Sequence, residues 1–498
     1  MMTSILWLWT TLALAAVCYS LHSLFFTKRE RLPPGPKGLP IIGNLHMLGK
    51  NPHQDLAKLA KKHGPIMYMQ FGFVPVIIVS SPEAAEKFLK TYDQVFASRP
   101  YHEGSWYVGY EQRNLSFAEY GPYWRNMRKL CILQLLSSHK INSFQYMRTQ
   151  EVGILVESLK QAAFDGASVD LSALISSLGV NMSCLMIFGK KYMDNDFGDR
   201  GFKEVIQEVL HVAAIPNLGD YFPLLGVLDV QGITRQFKAL AKVFDTFFEK
   251  IIDDHLQSSE HKQTKDFVDI MMGIIESGAS EFEFDRRHVK AVLLDMLIGS
   301  MDTSVTAVEW AISELLRHPE ATRKLQKELE EKIGLERIVE ESDLEGLEYL
   351  DVVIKESMRL HPVAPLLLPH ESIKDCTVDG FQIQKKSRII INIYAIGRDP
   401  NIWPDPESFI PERFSGNNID LRGQDFRLIP FGSGRRSCPG LQLGLTVVRF
   451  VLAQLVHCFN WSLADNTEPT DLDMSEVFGL VTSRAKHLNV IPTYRLHK

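Results

Sequence analysis

The chain has 498 residues, and its composition excludes several classes of protein before any motif is considered. Hydrophobic residues make up 45% of it, which is ample for a large folded core. It has 54 basic and 60 acidic residues, a formal charge of −6 that gives no electrostatic reason to expect a nucleic acid partner. Its six cysteines are too few for a disulfide framework and indicate a reducing compartment.

Residues 1–27 are predicted to be a membrane anchor. Residues 5–26 contain no charged side chain, and about 22 residues are enough to cross a bilayer as a helix. Lys28, Arg29 and Arg31 follow directly, which by the positive-inside rule places the rest of the chain in the cytosol. A cleaved signal peptide is the alternative, but its charges normally precede a shorter apolar core.

A stiff hinge is predicted to join this anchor to one large domain, residues 46–498. The hinge, residues 28–45, contains the run Pro33-Pro34-Gly35-Pro36, whose fixed φ values favour an extended segment. Helical patterns dominate the remainder of the chain. The short strands that the pattern predicts are Met67–Phe71, Val76–Val79, Phe381–Ile383 and Arg388–Tyr394. The sequence therefore predicts a mainly α-helical domain with minor β-sheets.

Two segments before the middle of the chain are candidates for ligand or surface contacts. Trp124 and Arg128 lie four residues apart on a predicted helix, so both can reach one ligand, although a plain cation–π contact explains them equally well. The segment Ile215–Leu228 is apolar but interrupted by prolines and glycines, so it is predicted to be a loop. An exposed loop of this kind usually touches something; the alternative is a loop packed on the core.

The longest periodic segment, Phe284–Arg317, is predicted to be one helix of about 50 Å. Within its apolar part Asp302 stands beside Thr303, and a buried carboxylate without partners is costly. Two interpretations stay open. Asp302 faces solvent while the Thr303 hydroxyl bonds to the preceding turn, or the two form a proton relay in which Thr303 holds a water and Asp302 supplies protons.

One cysteine stands in the run Phe431–Gly440, directly before the apolar stretch Leu441–Val456, which is predicted to be a helix. The helix N-terminus is expected to lower the pKa of the Cys438 thiol. The glycines of the run allow the backbone to pass under a flat ligand, and Arg436 can reach an anion beside the cysteine. Taken alone, a cysteine before an apolar helix is more often a small buried hydrophobe than a ligand.

The run resembles the haem-binding signature of the cytochrome P450 family, Phe-x-x-Gly-x-Arg-x-Cys-x-Gly. Every fixed position is filled, by Phe431, Gly434, Arg436, Cys438 and Gly440. The resemblance implies a haem b monooxygenase fold in the large domain, with the cysteine thiolate as the iron ligand. It implies that the enzyme inserts one oxygen atom of O₂ into a small lipophilic substrate.

The resemblance also implies roles for residues outside the run. The residues that it assigns to cofactor binding are Arg99, Trp124, Arg128, His370, Phe431, Gly434, Arg436, Cys438 and Gly440. Glu356 and Arg359, on a helix predicted at Leu344–Leu360, would join Arg413 in a buried network that braces the cysteine loop; a surface ion pair is the plainer interpretation of the first two.

The proton relay of Asp302 and Thr303 matches the family's oxygen-activation motif, with Ser300 in place of a glycine. Electrons are expected to come from outside the chain, because no flavin or dinucleotide fingerprint such as Gly-x-Gly-x-x-Gly follows a strand. The resemblance implies that NADPH–cytochrome P450 reductase supplies them. Arg125, Lys129 and Arg435 are candidate contacts for that reductase, or simply solvated surface charges.

The residues of several motifs are similar to those of plant microsomal family members of the A-type clan. This similarity implies a single-pass protein of the endoplasmic reticulum membrane that hydroxylates a terpenoid or a small aromatic or phenolic compound of specialised metabolism. Apolar segments around Trp106–Val108, Val363–Leu368 and Val477–Val481 are expected to line its pocket. Two alternatives are an isomerase or dehydratase of the same fold that needs no reductase, and a haem-binding membrane protein without turnover.

Overall fold

A computed structural model describes residues 31–192, 202–257 and 264–497, together with Thr11 and Ala15. Apart from these two residues, the predicted membrane anchor lies outside the described residues.

Helices make up most of the described chain, as the sequence predicted. They are α1 (Pro52–His63), α2 (Pro82–Glu86), α3 (Asp93–Phe96), α4 (Glu103–Val108), α5 (Pro122–Leu130), α6 (Ser138–Ser143), α7 (Gln145–Asp165), α8 (Leu171–Phe188), α9 (Phe202–Ala214), α10 (Pro223–Leu228), α11 (Ile233–Gln257), α12 (Phe267–Ser277), α13 (Arg286–Met301), α14 (Thr303–Arg317), α15 (Pro319–Ile333), α16 (Glu348–Leu360), α17 (Ile393–Gly397) and α18 (Leu441–Cys458).

The strands form small sheets at the edge of this helical body. They are β1 (Ile66–Phe71), β2 (Val74–Val79), β3 (Val169–Asp170), β4 (His370–Glu371), β5 (Cys376–Val378), β6 (Phe381–Ile383), β7 (Arg388–Ile391), β8 (Phe459–Leu463), β9 (Glu476–Val477), β10 (Ser483–Arg484) and β11 (Asn489–Tyr494). The largest sheet has the order β1-β2-β7-β4, with β1 and β2 antiparallel and β7 parallel to β2. The two strands predicted at Met67–Phe71 and Val76–Val79 are therefore confirmed, and they pair as a hairpin.

The predicted strand at Arg388–Tyr394 is too long, because β7 ends at Ile391. The next residue, Asn392, is the N-cap of α17, and its side-chain oxygen accepts a hydrogen bond from the Ala395 N–H at 3.0 Å. A capping side chain thus converts the end of the strand into the start of a helix.

The core lies where α14 packs against α8, α16 and α18. Gly179 of α8 allows the closest approach, since a Cβ atom there would lie 2.4 Å from the Met301 carbonyl oxygen. By length and composition α8, α18 and the pair α13–α14 could each cross a membrane, but 61–67% of each is buried inside the protein. In the described part of the chain these apolar helices are therefore core helices.

The helix predicted over Phe284–Arg317 begins at Arg286 and is interrupted at Asp302. The interruption has a local cause: the Thr303 hydroxyl donates to the Gly299 carbonyl oxygen at 2.7 Å and competes with the backbone for that acceptor. The prediction of a single unbroken helix was wrong at this point, which is also where the chain meets the main cavity.

Two further boundaries differ from prediction. The helix expected at Leu344–Leu360 begins at Glu348, since the Glu328 carboxylate of α15 accepts from the backbone N–H groups of Tyr349 and Leu350 at 2.7 and 3.0 Å. The segment predicted to be a loop contains helix α10, which starts with proline at its first position, where a missing N–H costs nothing.

Candidate active site

A cavity of about 450 Å³ lies between the α13–α14 junction and the loop that carries Cys438. Its wall is mainly apolar. Side chains from several predicted pocket segments line it: Val108, Val363, Ala364, Leu367, Leu368, Leu480 and Val481. Trp106, which the sequence also placed in the pocket, is instead an exposed residue of α4 outside the lining.

The Cys438 loop folds back on itself before α18. The Cys438 N–H donates to the Phe431 carbonyl oxygen at 2.8 Å, and both residues line the cavity. Gly434 has φ +70° and packs away from the cavity, since a Cβ atom there would lie 2.0 Å from the Leu89 carbonyl oxygen. Gly434 is thus needed for the packing of the loop, whereas Gly440 lies in the cavity wall next to the sulfur.

The Cys438 thiol lies deep inside the protein, yet its surface is open to the cavity. Burial raises the pKa of this thiol, and the hydrogen bond from the Gly440 backbone and the charge of Arg128 only partly oppose that rise. The lowered pKa expected from the helix N-terminus was therefore wrong for the protein alone. Coordination to a metal ion is what ionises a thiol in such surroundings.

Arg99, Arg128 and Arg436 converge on the cavity beside the cysteine loop. The Arg99 guanidinium donates to the carbonyl oxygens of Leu368 and Pro369 at 2.7 and 2.8 Å. The other two arginines also donate mainly to backbone carbonyl oxygens: Arg128 to Ser437 at 2.7 Å, and Arg436 to Ala97 at 2.7 Å, to Leu115 at 3.3 Å and to Ala118 at 2.5 Å. Within the described residues, none of the three is hydrogen-bonded to a carboxylate.

The three guanidinium groups form an excess of positive charge. Burial and the charge of Arg128 lower the pKa of Arg99 to about 9, and burial with the charges of Arg99 and Arg128 lowers the pKa of Arg436 to about 8. Asp93, whose charge acts on Arg436, pairs with Arg435 at 3.2 Å. Such a cluster favours an anion as its neighbour. The residues present therefore fit a flat ligand that carries carboxylates and whose metal accepts a thiolate, as haem b does.

Trp124 lines the cavity, but its indole N–H donates to the Leu115 carbonyl oxygen at 2.9 Å. Its ring lies beneath the Arg436 guanidinium, 3.9 Å from the ring centre. Trp124, which the resemblance assigned to cofactor binding, thus lies in the cavity wall with its indole N–H bonded to the backbone. His370 lies outside the lining, and its Nδ1 contacts the Phe96 carbonyl oxygen at 2.8 Å.

Thr303 lines the cavity at the helix break, as do Gly299 and Ser300. Asp302 is half-buried and does not contribute to the lining. Ser300, which stands where the family motif has glycine, donates to the Ser183 hydroxyl oxygen at 2.7 Å. The predicted acid and hydroxyl are thus adjacent at the junction, with only the hydroxyl in the cavity wall.

The predicted association of Glu356, Arg359 and Arg413 is confirmed. The Arg359 guanidinium donates to both Glu356 carboxylate oxygens, at 2.7 and 2.8 Å, and Arg413 donates to one of them at 2.9 Å. Both members of the first pair are fully buried. Arg359 also donates to the carbonyl oxygens of Gly397 and Pro406, so the network joins α16 to the segment 397–410.

One buried acid in the cavity wall was missed by the sequence analysis. The Asp295 carboxylate accepts from the Asn114 side-chain amide at 3.0 Å and from the Ser116 hydroxyl and N–H at 2.9 and 3.1 Å. Burial raises the pKa of this group. An acid inside an apolar helical run was the available signal, but its partners are about 180 residues away and cannot be inferred from spacing.

The segment 215–228, called the lid below, packs on α4 and on the turn between β1 and β2, where the Phe73 N–H donates to the Tyr221 carbonyl oxygen at 3.0 Å. Glu103 of α4 is buried and accepts from the Asn217 side-chain amide and, at 2.5 Å, from the Thr234 hydroxyl of α11. The Glu103 N–H also donates to the Asp220 carboxylate at 3.4 Å. Burial raises the pKa of Asp220 to about 6.

Comparison with known proteins agrees with this geometry. Residues 33–489 match the sequence pattern of the cytochrome P450 family. Cytochrome P450 CYP736A12 of Panax ginseng is 49% identical over 476 residues, which cover 94% of each chain. A phenylacetaldehyde oxime monooxygenase of Prunus mume is 42% identical, covering 96% of this chain and 94% of the relative. A flavonoid 3'-monooxygenase of Crocosmia x crocosmiiflora is 38% identical, covering 99% and 98%. The chain therefore belongs to the cytochrome P450 family, as an oxidoreductase of the monooxygenase type related to its plant members.

Proposed function

We propose that this protein is a haem-thiolate monooxygenase anchored in the endoplasmic reticulum membrane. Residues 1–27 are its anchor, residues 28–45 its hinge, and residues 46–498 a haem-binding catalytic domain that faces the cytosol. It inserts one oxygen atom of O₂ into a small lipophilic molecule and receives electrons from NADPH through a reductase. The observation that carries the proposal is a thiol and three guanidinium groups at one apolar cavity.

The residues of the cysteine side of the cavity, Arg99, Arg128, Arg436 and Cys438, would hold haem b. The thiol would bind the iron, and the arginines would neutralise the two carboxylates of the porphyrin. When bound, the haem supplies the activation of O₂. The protein supplies an anionic sulfur, charge neutralisation and a wall that excludes water.

Thr303 and Asp302 would transfer protons into the cavity at the helix break. The Thr303 hydroxyl donates its hydrogen to Gly299, so its oxygen can accept from a water and hold it in the cavity. Asp302, one residue earlier and half-buried, is placed to exchange protons with solvent and pass them to that water. Ser300 adds a further hydroxyl to the same wall.

The substrate is proposed to be a neutral lipophile, either a terpenoid or a small aromatic or phenolic compound. The mainly apolar lining favours such molecules over charged ones. Two relatives are named for phenylacetaldehyde oxime and for a flavonoid, which supports the aromatic class.

The lid is proposed to lie against the membrane. Val227, Leu228 and Val230 are 85, 70 and 68% exposed, which is costly in water and favourable in lipid. The exposed ring of Phe73 adjoins them through an edge contact with Phe222. Lipophilic substrates would then enter from the bilayer.

The reductase is proposed to dock beside the cysteine loop through Arg125, Lys129 and Arg435. Arg125 and Lys129 share one face of α5, since they are four residues apart. Lys129 and Arg435 pair with Glu281 and Asp93, at 2.6 and 3.2 Å. Both pairs are at least partly exposed and therefore weak, so an acidic partner surface can replace them.

The test expresses the full chain in microsomes with a plant NADPH–cytochrome P450 reductase. The wild type should give the thiolate spectrum of the reduced, CO-treated haem and consume NADPH with a panel of terpenoids and phenolics. Cys438→Ala should abolish both signals, whereas Cys376→Ser, at a partly exposed thiol outside the cavity, should keep them. Product formation without NADPH would favour the isomerase alternative. A haem spectrum without turnover would favour the haem-binding protein that is not an enzyme.

A further inference from the structure

His102 is a cavity residue that the proposed chemistry leaves without a role. It immediately precedes α4, and its Nδ1 accepts a hydrogen bond from the Ser105 N–H at 3.1 Å, so it is the N-cap of that helix. His102 also lines the cavity. Nδ1 is therefore occupied by the helix cap, whereas Nε2 takes no part in the cap.

The N-cap contact decides where the proton of the ring lies. Because Nδ1 accepts, a neutral His102 carries its hydrogen on Nε2. Burial, together with the positive charge of Arg388, lowers the pKa of His102 to about 4. The side chain is thus a neutral group with a single N–H donor at physiological pH.

The packing around the ring fixes the direction of this donor. Phe117 stacks on it with ring centres 4.8 Å apart and an angle of 18°, and Phe237 lies at its edge at 6.5 Å. Gly104 is required for this packing, because a Cβ atom there would lie 2.6 Å from the Phe237 ring and 2.9 Å from His102.

Within the described residues the Nε2–H of His102 has no hydrogen-bond acceptor. His102 is partly accessible, and its Nε2 is not among the buried side-chain atoms that lack a partner. The cavity that His102 lines is accessible space beside this residue. A donor in such surroundings favours a ligand that brings an acceptor and disfavours one that leaves the donor unmatched.

We propose that His102 determines substrate specificity by donating its Nε2–H to an uncharged oxygen, a carbonyl or hydroxyl, of an otherwise apolar substrate. The inference rests on the proposed function and narrows it: the substrate already carries an oxygen when it arrives. The reaction that supplies it is then one that leaves an alcohol or a ketone on the carbon skeleton. A charged oxygen is disfavoured, because a neutral donor and an apolar wall compensate poorly for lost hydration.

The test compares two probes of similar size, benzophenone and diphenylmethane, which differ in that the first has a carbonyl group where the second has a methylene group. The haem-loaded full chain in lipid nanodiscs is titrated with each probe by calorimetry and by the shift of the haem absorbance band. We expect the wild type to bind benzophenone about tenfold more tightly than diphenylmethane, because one hydrogen bond has an effect of about that size.

Two variants separate the donor from the structural roles of the ring. His102→Phe keeps the stack on Phe117 and loses the cap, whereas His102→Ser keeps a capping oxygen and loses the ring. Both variants lose the Nε2–H. In both, the ratio of the affinity for benzophenone to that for diphenylmethane should therefore fall close to one. His46→Phe, at an exposed histidine, is the control and should keep the wild-type ratio.

A wild type without preference for benzophenone overturns the proposal, and so does a preference that persists in either variant. Loss of the ratio in His102→Ser alone would assign the effect to ring packing and reject the donor. Oxidation of diphenylmethane with NADPH is measured in parallel. If oxidation occurs while the ratio is flat, His102 is not the determinant and the monooxygenase function stands; if neither probe is bound or oxidised, the proposed function itself is in question.

Discussion

The cysteine side of the cavity and the lid differ in what holds them in place. On the cysteine side, Arg99 and Arg436 donate to backbone carbonyl oxygens from several distant segments, so their positions are fixed from many directions. The lid is held by the Glu103 carboxylate, which accepts from Asn217 and Thr234, by the Glu103 N–H, which donates to Asp220, and by one backbone bond from Phe73 to Tyr221.

The difference follows from what each side has to do. A cofactor that stays bound requires rigid charges, and hydrogen bonds to the backbone give them that rigidity. A substrate that enters and leaves requires a cover that opens at small cost, and a few side-chain contacts allow this. The following predictions test the contrast, from the largest expected effect to the smallest.

The largest effect is expected from Arg359→Ala, next to the cysteine side. It leaves the fully buried Glu356 carboxylate with one arginine partner instead of two, at a cost of about 3–5 kcal/mol. Haem content per milligram of purified protein should fall close to zero. Arg323→Ala, which removes an exposed ion pair with Glu320, is the matched control and should change stability by less than about 1 kcal/mol. A normal haem content in Arg359→Ala would contradict the bracing role.

Arg128→Met should loosen the cofactor without unfolding the protein. One of three positive charges is lost, so haem should transfer to apomyoglobin about tenfold faster. The haem-free protein should not lose stability in proportion, because repulsion of Arg99 and Arg436 is relieved. Arg125→Met, one turn earlier and exposed on the same helix, is the control. Equal transfer rates in the two variants would reject the arginine cluster as a haem site.

A smaller, pH-dependent effect is expected at the lid. Burial raises the pKa of Asp220 from 3.8 to about 6, so the closed lid disfavours the ionised form. The contribution of Asp220 to closure is therefore full below the solvent pKa of 3.8 and is lost as pH rises through 6. Hydrogen exchange of segment 215–228 should be slower at pH 5 than at pH 7.5, after correction for the intrinsic rate.

Asp220→Asn should make this corrected exchange nearly independent of pH. Glu204→Gln, at an exposed acid of α9, should retain the wild-type dependence. If the asparagine variant kept the full pH dependence, Asp220 would not be the group that controls the lid.

The smallest effect is expected from Ser300→Ala at the helix break. It removes the hydrogen bond to the Ser183 hydroxyl, so Tm should fall by an amount that corresponds to about 1 kcal/mol. The double variant Ser183→Ala/Ser300→Ala should be no less stable than the single one, since no hydroxyl is left unpaired. Additive losses in the double variant would show that the two hydroxyls do not act together.

Local patterns in the sequence predicted much of this fold and part of the site. An apolar stretch predicted α18, and two short runs of β-forming residues predicted strands β1 and β2, because both kinds of element are set by neighbours in the chain. The motifs predicted that Cys438 and Arg436 lie at one site and that Glu356 pairs with Arg359. In the structure the first two line one cavity and the second two form an ion pair.

What the sequence did not reveal depends on distant parts of the chain. The start of α16 is set by Glu328 of another helix, and Asp295 meets its partners only after folding. The environment of Cys438 shows the same limit. A helix N-terminus alone predicts a lowered pKa, but the burial that outweighs it comes from the whole fold.

The uncompensated positive charge of Arg99, Arg128 and Arg436 has a consequence for biosynthesis. If the proposed function holds, a newly made chain brings three like charges together before haem is bound, and its native state is completed only when haem is delivered. Ligand that binds the native state alone shifts the folding equilibrium by mass action. We therefore expect the steady-state amount of this protein in a cell to follow haem supply, with chains that miss their cofactor removed by proteolysis.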